Sequence, residues 1–122
     1  MLVPFDAKKL DALMEEAGLA LLFASTRHNV RYLTGGYYFH FHAQATRIGR
    51  SQYLPFVGLP RQRLEEAFYI GRPDEHGQIE AEGLWITHRP GASRGTVSAA
   101  EAAAQTVQGL GLAEATIGVE LP

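Results

Sequence analysis

The feature that most constrains this chain is the stretch Gly18 to Gly36, G-L-A-L-L-F-A-S-T-R-H-N-V-R-Y-L-T-G-G. Leu19 to Ala24 is a short unbroken apolar run after a glycine, the pattern of a strand covered on both faces. Ser25-Thr26-Arg27-His28-Asn29 follows with side chains that compete for backbone hydrogen bonds, and these favour turns and helix starts over strands. Val30 and Leu33, with Tyr32, can then pack inward from one helical turn that Gly35-Gly36 terminates. A central strand, a polar turn and a helical turn are therefore expected in that order.

The flanking sequence supplies partners for this strand. Asp6 is a candidate N-cap, and Leu10, Leu13, Met14 and Ala17 follow the i, i+3, i+4, i+7 spacing of one helix face ending at Gly18. Tyr37 to His42 alternates, with Tyr37, Phe39 and Phe41 on one side and Tyr38, His40 and His42 on the other, which predicts a strand or extended loop. Ala43 to Arg50 reads as a polar loop. A strand is expected within Gln52 to Leu59, placed at an edge or bulge by Pro55, which cannot donate to a ladder. Pro60 to Arg63 is the expected turn into a returning strand at Ala67 to Gly71, making a hairpin. Arg72 to Gly77 is rich in turn residues, Gln78 to Glu82 suits a short helix, and Leu84 to Thr87 a further strand.

Pro90 to Thr96 lacks the G-x-x-x-x-G-K-[ST] pattern of a phosphate loop and reads as a plain connection. Ser98-Ala99-Ala100-Glu101 has the form of a capping box opening a helix with Ala99, Ala103, Val107 and Leu110 on its apolar face. Gly109 and Gly111 end that helix, and Thr116 to Glu120 is the last expected strand. Alternation of helices with a hairpin and crossovers indicates an α/β sandwich with a mixed sheet.

Composition narrows the function classes. A chain of 122 residues fits one domain with a single core. A net charge of −2 and nine arginines scattered from Arg27 to Arg94 give no basic stripe, so nucleic acid is not an expected partner. Without cysteine there is neither a disulfide framework nor a thiol nucleophile, which fits a reducing cytoplasm. The start has no signal-peptide pattern, and the longest apolar run, about six residues, is far short of the ~20 of a membrane helix.

The side chains that could carry chemistry lie after the glycine pair. His40 and His42, two apart on one face, read as a wet polar face or as a contact to a partner subunit or substrate; they could also converge on a metal ion, but two ligands rarely suffice, and neither His76 nor His88 has a spacing that marks it as a third. Arg47 and Arg50 read as solvated charge, or as a fork suited to a carboxylate.

An amphipathic helix followed by the Gly18 to Gly36 block resembles the amino-terminal domain of the creatinase, prolidase and aminopeptidase P family. The usual family form is a G-[LI]-D-A-[LA]-[LI] strand, an S/T-x-x-N turn and a Y-L-T-G segment. Asn29 with Tyr32-Leu33-Thr34-Gly35 is the most specific part, and Ala20 departs from the common aspartate. The likeness extends to the I-G-V-E strand at Ile117 to Glu120.

The resemblance implies a three-layer α/β/α, ribonuclease-H-like domain spanning 1–122, followed in the parent protein by a catalytic pita-bread domain that these residues do not include. In metallopeptidase members that second domain supplies two aspartates, a histidine and two glutamates around a pair of divalent metals, manganese, cobalt or zinc; creatinase-like members work without metal. The implied role is dimerisation and substrate gating in a Xaa-Pro dipeptidase- or aminopeptidase-like hydrolase. These residues would then carry no catalysis and no cofactor, and the partners would be the catalytic domain, a second subunit and a small peptide or amide substrate. Tyr37 to Arg50 is the segment expected to reach the substrate, with Tyr38, His40, His42 and Arg50 as gating residues; Gly49-Arg50 resembles a creatinase pair whose arginine contacts the substrate carboxylate, although Ile48 replaces an aromatic residue. Three alternatives stay open: the amino-terminal domain of a creatinase-like amidinohydrolase, a free-standing carboxylate-binding module walled by those four residues, and a small metalloenzyme built on His40 and His42.

Overall fold

The computed structural model describes residues 3–40, 55–90 and 96–120. At its centre lies β1 (Leu21–Ala24), paired along both edges. Successive side chains of a strand point to opposite faces. Leu21 and Phe23 accordingly join an apolar cluster with Phe68, Ile70, Ala99, Ala103 and Val107, while Leu22 and Ala24 join another with Val30, Leu33, Val57, Leu59 and Tyr69. The uninterrupted apolar run has this cause: each alternate residue meets a helical layer rather than water.

The sheet order is β3-β2-β1-β4, with β2 at Phe56–Pro60, β3 at Phe68–Ile70 and β4 at Ile117–Gly118. β1–β2 and β2–β3 are antiparallel, and β1–β4 is parallel. Helices α1 (Ala7–Ala17) and α2 (Arg27–Thr34) contribute to the core on one face, as does α3 (His76–Glu82) through Ile79; α4 (Thr96–Gly109) covers the other. The mixed α/β sheet and the β2–β3 hairpin agree with the sequence. Among the described residues no helix is long and apolar enough to cross a membrane.

Gly58 shows how tightly the α4 side is packed. It pairs with Phe23 on one strand and Phe68 on the other, and a Cβ there would lie 2.2 Å from the Phe68 ring. With no side chain in the way, Phe68 meets Phe23 edge-on, the ring centroids 5.7 Å apart at 82°. A strand glycine where another group approaches closely has this use.

Five local expectations need correction. The α1 N-cap is Asp6, whose carboxylate accepts from the Lys9 amide at 3.1 Å, and Gly18 ends the helix at φ 73°, as expected. Its apolar face is narrower than its pattern, however: Met14 is buried and Leu10 half-buried, while Leu13 and Ala17 are exposed. Secondly, α2 is two turns long and begins at Arg27, with the Thr26 hydroxyl accepting from the Asn29 amide at 3.5 Å. Val30, Leu33 and Thr34 form its buried side, and Tyr32, rotated away from them, is 62% exposed.

Thirdly, β2 is an inner strand, because Pro55 precedes its first paired residue and takes no place in the ladder. Fourthly, Leu84 to Thr87 is not a strand. Ile86 is buried and the Trp85 indole N–H donates to the Leu33 carbonyl at 2.7 Å, so the segment is held to α2. Its side chains pack in the core beside Val57, Leu59 and Tyr69, and its backbone joins the sheet just beyond its end, where the Tyr69 amide donates to the His88 carbonyl at 3.0 Å. Finally, Ser98 is the third residue of α4 rather than its cap. The helix still presents Ala99, Ala103 and Val107 to the sheet as expected.

Candidate functional site

The segment after the glycine pair is held by side chains. Tyr37 to Phe39 has no regular secondary structure and His40 is helical, so this described part of the alternating segment is not a strand; Phe41 and His42 lie outside the described residues. Gly35 closes α2 at φ 76°, a left-handed backbone that favours glycine, and turns the chain toward the sheet. The Thr34 hydroxyl lies 2.7 Å from the Val30 carbonyl and 2.9 Å from that of Tyr37, bridging the last turn of α2 to the segment.

Three side chains of the Pro73–Glu75 turn and α3 then take hold of successive residues. Glu75 is 1% exposed, and its Oε1 accepts from the Tyr37 hydroxyl at 2.7 Å and the Tyr69 hydroxyl at 2.6 Å. Its Oε2 accepts from the Arg72 amide at 2.6 Å. A carboxylate can be buried when donors replace its water in this way. Burial pushes both phenols well above the usual tyrosine range, and the Glu75 carboxylate adds to the effect. Gly71 makes the room: a Cβ there would lie 2.0 Å from Glu75 Oε2.

Gln78 clasps the backbone on either side of Phe39. Its Nε2 donates to the Tyr38 carbonyl at 2.9 Å, and its Oε1 accepts from the His40 amide at 3.1 Å. Glu82 comes within 3.6 Å of His40 Nε2, an exposed pair that contributes little energy. Glu75, Gln78 and Glu82 share the i, i+3, i+7 spacing of one helix face. That spacing was present in the sequence, but nothing local tied it to Tyr37.

Of the four candidate gating residues, Tyr38 is half-buried and His40 exposed, and the two are brought together by Gln78. His42 and Arg50 lie outside the described residues, as do Phe41 and Arg47. Sequence reasoning did not find Arg27, whose guanidinium carbon sits 5.9 Å from the centre of the Tyr38 ring, a cation–π distance. Among the described residues no group of three or more His, Asp or Glu side chains is arranged to hold a metal ion.

A second carboxylate does its work at the start of α2. Glu120, two residues beyond β4, accepts from the amides of Ser25 and Thr26, from the Thr26 hydroxyl and from Asn29 Nδ2 at 2.6 Å. Burial pushes its carboxyl up, but the hydrogen bonds from Thr26, Ser25 and Asn29 prevail and hold it below the usual glutamate range. The α2 N-terminus, where free amides and the helix dipole favour an anion, is thus filled by the chain's own side chain.

Next to this clasp an apolar groove of about 560 Å³ runs between α4 and the sheet, walled by Phe23, Phe56, Ala100, Ala104 and Ile117. Ser25 and Glu120 stand at its polar end. It opens where β1 and β4 finish, the end at which open α/β sheets receive ligands. Alanines along α4 leave this space; larger residues there would close it.

A scan against protein-family models finds no match, and a search of curated proteins finds no significant match.

Proposed function

We propose that this chain is the non-catalytic amino-terminal domain of a Xaa-Pro dipeptidase- or aminopeptidase P-like hydrolase, of the ribonuclease-H-like creatinase and prolidase type, serving dimerisation and substrate gating in the cytoplasm. The observation that supports gating best is the clamp on Tyr37 to His40. Side chains of the Pro73–Glu75 turn and α3 hold Tyr37 to His40, the start of the segment that carries the four candidate gating residues. Support for the fold comes from Glu120, which joins two separated parts of the resemblance, the Ser25 to Asn29 turn and the I-G-V-E end. On this reading the divalent metal pair belongs to the second domain, and none of the described residues is asked to bind it.

The test is the parent reading frame and its enzyme. A continuation encoding two aspartates, a histidine and two glutamates at the family's spacings, with manganese-dependent hydrolysis of Xaa-Pro dipeptides, is expected. In that enzyme Gln78→Ala should raise KM several-fold, because it frees the Tyr38 carbonyl and the His40 amide. Turnover of a Xaa-Pro dipeptide by the isolated chain would overturn the assignment, and unchanged kinetics in the Gln78 variant would overturn the gating role.

A further inference from the structure

The outer face of α2 carries an unbalanced positive charge. Arg27, His28 and Arg31 are exposed, and none has a carboxylate within 4.0 Å among the described residues. Elsewhere among the described residues Arg63 pairs with Glu66 and Arg72 with Asp74, and Arg61 and Arg89 donate to backbone carbonyls, while Lys8 and Lys9 on α1 have no ion pair either. In a chain of net charge −2, two exposed guanidinium groups one helical turn apart make a local positive patch. Exposed like charges at i, i+4 on a helix, as at Arg27 and Arg31, repel one another slightly.

The face is also shaped. Arg27, His28, Arg31 and Tyr32 line a concavity of about 510 Å³, and Tyr32 is one of the few large apolar side chains left outside the core. Arg27 is steadied against the Tyr38 ring, which limits the rotamer freedom it would lose on binding. Glu120 already places a carboxylate at the start of α2, on the Ser25 and Thr26 amides and the Asn29 side chain, so the attracting groups further along the face are the side chains of Arg27 and Arg31.

We propose that this face of α2 is a docking surface for an acidic segment of a partner protein. Arg27 and Arg31 lie about 6 Å apart along the helix axis. Alternate residues of an extended peptide are spaced by about 6.7 Å, so two carboxylates on one side of a strand-like segment can meet both guanidinium forks. Tyr32, next to Arg31 on the rim of the same concavity, supplies an apolar contact. A nucleic acid is a poorer match, since its continuous line of phosphates would run from this small patch onto a surface of opposite preference.

The probe is a hexaglutamate peptide titrated into the isotopically labelled chain at low and high salt, with hexaglutamine and a single-stranded oligonucleotide of equal length as controls. Saturable shifts centred on Arg27 to Tyr32 are expected with hexaglutamate only, weakening as salt rises. Arg27→Gln and Arg31→Gln should each lower affinity up to about fivefold, with Arg31→Lys retaining most of it. Both sites are exposed, so an unchanged thermal midpoint separates lost binding from lost folding. No shifts with hexaglutamate, equal affinity in the double glutamine variant, or tighter binding of the oligonucleotide would each overturn the proposal.

Discussion

Glu75 and Glu120 are both carboxylates that gather several donors, yet they act in opposite settings. Glu75 is enclosed, and its partners are two phenols and one amide close to the sheet. Glu120 is half-buried at the end of β4 and receives the amides and side chains that open α2. Enclosure makes the first a packing element whose loss leaves donors stranded without water. Partial exposure makes the second a titratable tie, because solvent can take over when it lets go. The lesson is that the number of hydrogen bonds does not set a carboxylate's role; access to water does.

The contrast should break most visibly at Glu75. Glu75→Ala strands the Tyr37 and Tyr69 hydroxyls and the Arg72 amide, and a loss of roughly 3 kcal/mol or more is expected from urea denaturation, at about 1–3 kcal/mol for each buried donor left unsatisfied. A loss below about 1 kcal/mol would mean that water reaches the site.

A smaller effect is expected from the phenols. Tyr69→Phe and Tyr37→Phe each remove one donor while the carboxylate keeps others, costing about 1–1.5 kcal/mol apiece. Both phenols titrate above their unfolded value, so their contribution is complete below about pH 10 and declines as pH rises beyond it. Ultraviolet titration should show Tyr37 and Tyr69 ionising only as the chain unfolds, and ionisation in the intact fold would place them nearer to solvent.

How much could be read from the sequence follows the same division between near and far. The Leu19 to Ala24 run, the Asp6 cap and the β2–β3 hairpin depend on neighbours within a few residues, and the pattern shows them. Leu84 to Thr87 misleads because a buried loop needs apolar residues as much as a strand does; only the Trp85 bond to Leu33 decides between them. Pro55 misleads because it stands just outside the ladder it was expected to disturb. At the candidate site, Tyr38 and His40 were identified from alternation, but their anchors were not. Glu75 meets Tyr37 across 38 residues and Glu120 meets Asn29 across 91, separations over which no periodicity carries information. Arg27 escaped notice for the same reason, being read as part of a turn while its partner Tyr38 was read as part of a strand.

The most direct test of the account is the pH dependence of stability in the native chain and in Glu120→Gln. The folded-state carboxyl titrates below its unfolded value, so its contribution is present above the ordinary glutamate range and lost as pH falls through and below it. At neutral pH the variant should be less stable by about 1 kcal/mol, the scale of a lost helix cap at a partly solvated site. The two unfolding curves should converge in acid, once Glu120 is protonated in both states. A difference that stays constant from neutral to acid pH would contradict the claim that a charged Glu120 ties the end of β4 to the start of α2.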